Sequence, residues 1–174
     1  MPLDKQGLDL QKYKKNIKIF IETGSADGDG IDSALNAGFE KIISIELNPI
    51  LYEKCKNRFK NNSNVELFCG SSEVLLPTIL SKINEPFLLW LDAHFSGGEY
   101  IGELMNHYLP KEMSCILPYS VKFNNSVIMI DDMNFFKNDL NFCATIENLL
   151  KKIKTNGAVE YYDSTLKSLI LVNY

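Results

Sequence analysis

Apolar, β-branched runs and longer amphipathic stretches alternate along this chain. The first run, Ile17 to Glu22, is almost unbroken in its apolar character and ends in an acid. Such a run predicts a strand covered on both faces, as in a parallel sheet. Gly24, Gly28 and Gly30 follow, and then Ile31, Ala34 and Leu35 recur at helical spacing until Gly38 stops the turn, so the predicted helix spans about 28–37. Strand, glycine loop and helix N-terminus together present backbone N–H groups at the carboxyl end of a buried strand.

The same unit repeats. Lys41 to Glu46 reads as a second strand, again ending in an acid, and Pro49 opens a helix that runs to about Lys60 before Asn61-Asn62-Ser63-Asn64 breaks it. Val65 to Cys69 predicts a third strand, followed by Gly70-Ser71-Ser72 and a helix over about Glu73 to Lys82. Phe87 to Leu91 predicts the fourth strand and Val127 to Ile130 the fifth, ending in Asp92 and in Asp131-Asp132. Between them, Ala93 to Asn125 holds a Gly97-Gly98 hinge and a helix over about Gly102 to Leu117. A helix over about Leu140 to Lys154 carries Phe142, Ile146, Leu149, Leu150 and Ile153 on one face. Leu3 to Lys15 predicts a short leading helix with Leu8, Leu10 and Tyr13 inward. The end differs: Ala158 to Tyr162 and Ser168 to Val172 are joined too tightly for a crossover helix, so they are expected to pair antiparallel.

Length and composition narrow the class. With 174 residues, 45% hydrophobic and 23% charged, residues 1–174 suit a single α/β domain with one sizeable core. Lys plus Arg number 18 against 22 for Asp plus Glu, a net charge of −4 that argues against a nucleic-acid backbone as partner. Lysines gather at Lys12 to Lys18, Lys54 to Lys60 and Lys151 to Lys154, as on solvated helix faces. Cys55, Cys69, Cys115 and Cys143 lie far apart and read as reduced thiols rather than a zinc site. No apolar run reaches membrane-spanning length and Met1 to Lys15 carries no signal-like core, so a cytoplasmic protein without membrane contact is expected.

Chemistry is expected at the carboxyl edge of the sheet. Glu22, Glu46, Asp92, Asp131 and Asp132 all reach that edge, where five carboxylates repel unless cations balance them. The loop does not read G-x-G-x-x-G, and Asp27 and Asp29 are expected to oppose a pyrophosphate. It reads instead as acid-x-Gly-x-small-x-Gly, with Glu22, Gly24, Ala26 and Gly28. This resembles motif I of the class I S-adenosylmethionine (SAM) dependent methyltransferases, whose cofactor is a sulfonium with an ammonium. The acids after the fourth and fifth strands resemble those of metal-dependent O-methyltransferases of the catechol and sugar type.

The resemblance covers Ile17 to Val172. It implies a Rossmann-like, seven-stranded, mostly parallel sheet of order 3-2-1-4-5-7-6 with strand 7 antiparallel. It implies SAM held by Glu22, Thr23, Gly24, Ser25, Gly28, Glu46, Leu47, Gly70, Ser71, Ser72 and Asp92, with the ribose on Glu46 and Leu47 against the adenine. Ser71 stands where relatives often carry an acid for the adenine amino group; one of Ser71 and Ser72 is also expected to cap the following helix. Asp92, Asp131 and Asp132 would hold Mg²⁺ or Mn²⁺, with Asp92 and His94 catalytic and His94 taking the acceptor hydroxyl's proton. Trp90 is expected in the core and His107 outside the chemistry. The acceptor would be a small molecule or a glycan, its wall formed by Phe95 to Phe123 and completed, in a homodimer, by a second protomer. Two other readings stay open at this point: an NAD(P)-dependent oxidoreductase, and a SAM-binding module without turnover.

Overall fold

In the computed structural model, which describes residues 10–93, 108–131, 144, 147–148, 151, 159–163 and 168–172, the buried runs become a parallel sheet. Its strands are β1 (Ile19–Thr23), β2 (Lys41–Glu46), β3 (Val65–Cys69), β4 (Phe87–Leu91) and β5 (Val127–Ile130), in the order 3-2-1-4-5. Beyond β5, β7 (Ser168–Val172) pairs antiparallel with it, and β6 (Val159–Asp163) pairs antiparallel with β7. The helices are α1 (Leu10–Lys14), α2 (Asp29–Asn36), α3 (Pro49–Arg58), α4 (Ser72–Lys82) and α5 (Tyr108–Ile116), the last running into a 3-10 turn over Leu117–Lys122.

The alternation of side chains along each strand splits the core in two. On one face Ile19, Ile21, Leu89, Leu91 and Ile130 pack under α4 and α5 through Leu76, Leu80, Met113 and Ile116. On the other, Phe20, Ile42, Leu88, Trp90 and Met129 pack under α1, α2 and α3 through Tyr13, Ile31, Cys55 and Phe59. Trp90 is therefore core, as its place inside a strand predicts. All of β1, β4 and β5 is buried, whereas β3 at the edge is half-exposed and tolerates a charged residue, Glu66, inside the strand.

Several boundaries shift from the expected ones. β1 begins at Ile19 because the chain turns out of α1 at Lys15 (φ 44) and Ile17 N–H donates to Lys14 O. α3 opens as predicted, with Pro49 in its first turn and Asn48 Oδ1 accepting from Ile50 N–H at 2.9 Å. α4 is closed by a distant side chain: Lys122 Nζ donates to Leu80 O (3.1 Å), Ser81 O (2.8 Å) and Ile83 O (3.0 Å). An ammonium at the last carbonyls of a helix is favourable both as a hydrogen-bond donor and against the helix dipole. Among the described residues of the later helix, Ala144, Glu147, Asn148 and Lys151 are helical and exposed; its expected inward face lies outside the described residues.

Candidate functional site

The parallel register brings the ends of β1, β2, β4 and β5 to one edge. Thr23 is level with Ile45 and with Leu91, and Leu91 with Ile130, so Glu46, Asp92 and Asp131 leave the sheet at one level, Asp92 and Asp131 from paired strands and Glu46 from the far side of β1. Asp131 N–H donates to Leu91 O at 3.1 Å and Asp92 N–H to Thr23 Oγ1 at 3.2 Å, which ties these exits together.

The loop leaving β1 has a conformation that few sequences tolerate. Gly24 (φ 84) and Gly28 (φ 88) are left-handed, and so is Ala26 (φ 46), where a side chain costs about 1–2 kcal/mol. A Cβ on Gly24 would lie 2.7 Å from the Asp92 carbonyl oxygen, and one on Gly28 would lie 2.5 Å from the Phe59 ring. Glycine is thus required twice, by backbone angle and by close approach.

Hydrogen bonds hold the loop from several sides. Glu46, buried at the end of β2, accepts from Ala26 N–H on one oxygen (2.9 Å) and from Asn48 N–H on the other (2.8 Å). A carboxylate offers about four lone-pair positions, so two remain for a ligand's hydroxyls. Gly24 N–H donates to Ile45 O, and Gly70 N–H to Glu46 O, each at 2.9 Å. The Cys55 thiol donates to Ala26 O at 3.3 Å; burial pushes this thiol up to about 12, which keeps it protonated and a donor.

Sequence reasoning did not anticipate a polar chain beneath the loop. Ser25 Oγ lies 2.5 Å from Ser44 Oγ, and Ser44 Oγ donates to Glu22 Oε1 at 2.6 Å, all buried. Burial raises the Glu22 carboxyl to about 8; the Ser44 hydrogen bond opposes this, and Asp92 and Glu46 add to it. Glu22 is therefore largely protonated at neutral pH, and the edge carries less negative charge than its sequence implies. The readable signal was Ser44 itself, a polar residue interrupting Ile42, Ile43 and Ile45.

Nor are Asp27 and Asp29 the open negative charges that the sequence suggested. Lys54 Nζ reaches Asp27 Oδ1 at 2.5 Å, and Arg58 donates to the Asp27 carbonyl and to the carboxylates of Asp29 (3.4 Å) and Asp32. The basic stretch around Lys54 to Lys60 is thus not only a solvated face, because two of its cations answer the acids at the loop. These exposed pairs lessen the negative charge that Asp27 and Asp29 present at the loop, and the glycine spacing still departs from the dinucleotide pattern.

The remaining expected site residues divide. Leu47, Gly70 and Ser71 are half-buried, and Ser72 is buried in the first turn of α4. Ser71 occupies the cap position of that helix but makes no side-chain cap; its Oγ is buried without a hydrogen-bond partner. Asp92 is half-buried and Asp131 buried. His94 and Asp132 lie outside the described residues, as does His107. Among the described residues no group of three or more His, Cys, Asp or Glu is placed to hold a metal ion; Asp92 and Asp131 follow paired strands. Their hard oxygen donors on adjacent strands suit a divalent cation that takes further oxygens from elsewhere. None of the described helices is long and apolar enough to cross a membrane.

No protein-family model matches the sequence, and no curated protein matches it. Solved structures share its fold over nearly the whole chain. The SAH-bound methyltransferase PaMTH1 of Podospora anserina is 15% identical, with 97% of this chain and 77% of that one covered at a TM-score of 0.64. The O-methyltransferase of Bacillus cereus, in complex with SAH, is 15% identical, with 99% and 82% covered at 0.61. The methyltransferase domain of bacterial CtHen1 is 16% identical, with 98% and 97% covered at 0.55. The chain thus has the α/β, Rossmann-like fold of these methyltransferases.

Proposed function

We propose that this protein is a SAM-dependent methyltransferase that methylates an acceptor hydroxyl with the help of a divalent cation. The observation that carries the reading is the left-handed Gly24–Gly28 loop, clasped by Glu46 at the next strand end. It stands at the carboxyl edge of a fold shared with SAH-bound methyltransferases. The seven-stranded order 3-2-1-4-5-7-6, with β7 antiparallel, belongs to the same reading.

In this reading Glu46 takes the ribose hydroxyls on its two remaining lone-pair positions, Leu47 lies against the adenine, and the Gly24–Gly28 loop borders the amino-acid end of the cofactor. The unpartnered Ser71 hydroxyl, with Ser72 and Gly70, borders the adenine and can replace the acid found at that place in relatives. Asp92, Asp131 and Asp132 would hold Mg²⁺ or Mn²⁺. When bound, such an ion supplies charge that lowers the pKa of an acceptor hydroxyl. His94 takes the proton as the acceptor oxygen forms its bond to the methyl carbon and the carbon–sulfur bond breaks, leaving a neutral thioether. Acceptor oxygen, methyl and sulfur must lie in line, so the chain contributes chiefly by positioning. The acceptor class is a hydroxyl of a small molecule or glycan.

Isothermal titration with SAM, SAH and NAD tests the cofactor, and transfer of labelled methyl from SAM to sugar hydroxyls tests the reaction. Glu46→Ala is expected to weaken SAH binding by about 1.5–3 kcal/mol, the contribution of hydrogen bonds to a charged acceptor. Binding of NAD in preference to SAH, or unchanged SAH affinity in that variant, would remove the reading.

A further inference from the structure

Arg58 ends α3, well away in sequence from the loop, yet one guanidinium spans both the loop and the helix after it. It donates to the main-chain carbonyl of Asp27, inside the left-handed turn, and to Asp29 and Asp32 in the first turn of α2. Its neighbour Phe59 fills the space against Gly28, and the Arg58 guanidinium lies 5.2 Å from the centre of that ring. Cys55, one turn back on the same helix, donates to Ala26 O. α3 therefore braces Ala26, Asp27 and Gly28 in succession, while Glu46 holds the Ala26 N–H from the other side.

Two consequences combine here. A turn with Ala26 and Gly28 both at positive φ is not a shape that a free chain holds, so something outside it must select it. Three carboxylates, Asp27, Asp29 and Asp32, also crowd the start of α2, where the helix would otherwise present positive charge to a ligand. Arg58 answers both, because its guanidinium presents five donors in a fixed planar fork to a carbonyl and two carboxylates, an arrangement that the compact ammonium of a lysine on its flexible stem does not reproduce. Lys54 adds a single contact to Asp27 between groups more than half exposed, and such a pair contributes little.

We propose that Arg58 is a positioning residue of the ligand loop: it pre-shapes Ala26–Gly28 and cancels the acids at the α2 N-terminus, so that a carboxylate-bearing nucleoside ligand such as SAM binds tightly there. The inference rests on the cofactor reading given above and deepens it. Binding to a loop held ready loses less ordering entropy than binding to one that must first be ordered.

Two readouts on the intact protein test it: amide hydrogen exchange at residues 25–28 without ligand, and calorimetric SAH affinity at low and high salt. Arg58→Ala should raise exchange at those amides while leaving the core strands protected, and should weaken SAH about tenfold, the expected scale for lost pre-organisation. Arg58→Lys should restore the part of the affinity that salt screens but not the protection, because it returns charge without the fork. Lys18→Ala, which breaks the exposed pair with Glu40, should change neither readout. Wild-type-like exchange and affinity in Arg58→Ala would overturn the proposal and leave the cofactor reading standing. Exchange raised equally in all strands would overturn it as well, by reducing the role to global stability. A wild-type protein that binds neither SAM nor SAH would instead remove the cofactor reading, and this inference with it.

Discussion

Glu22 is an acid enclosed at the end of a central strand, with Ser44 as its donor and with Asp92 and Glu46 nearby. Burial lifts its carboxyl from an ordinary 4.5 to about 8. Between those values the folded protein keeps a proton that the unfolded chain has released. The stability linked to this proton is full below about 4.5 and is lost as pH rises through about 8. Glu22→Gln keeps the shape and an oxygen for Ser44 but cannot ionise. Its melting temperature should therefore fall less with pH across that window than the wild type's, and scanning fluorimetry over a pH series reads this directly. Parallel pH profiles for the two proteins would refute the assignment. The sequence announced Glu22 as an acid at a strand end; it could not announce a protonated one, because protonation depends on which groups the fold crowds around it.

At the scale of elements, the closure of α4 by Lys122 is a long-range cap. Lys122→Met keeps the aliphatic stem but leaves the carbonyls of Leu80, Ser81 and Ile83 without their shared donor. It should lower stability by about 1–2 kcal/mol in urea unfolding with an unchanged slope. A midpoint equal to the wild type's would show that water serves those carbonyls as well. Nothing local marks Lys122 for this role, since its partners lie about forty residues earlier. The strands, by contrast, were legible from the start, because burial on both faces writes itself as unbroken runs such as Phe87–Leu91. Helix ends were legible as well: α5 gives way to a 3-10 turn at Leu117, beside Pro118, where the sequence predicts the helix to stop. The loop geometry was legible through its glycines, but its bracing by Arg58 was not, since that depends on how α3 lies against α2.

For the whole molecule, the parallel register decides which residues meet. Asp92 and Asp131 leave paired strands together, and if they hold a cation, Mg²⁺ should raise the melting temperature and EDTA should reverse the rise. Asp131→Asn should lose that shift while the rise caused by SAH survives; a Mg²⁺ shift that persists in this variant would place the ion elsewhere. Gly24 bears on how the two occupants share the protein. Its Cα lies so near the Asp92 carbonyl that even one added carbon would collide, and the Asp92 N–H is fixed to Thr23. Loop and strand exit thus shift together or not at all. When both ligands bind as proposed, each changes the other's affinity by the same factor, because linkage between equilibria is reciprocal. Where that factor is a tightening, loading becomes cooperative: at intermediate concentrations the half-filled forms are depleted, and the protein is found mostly empty or fully armed.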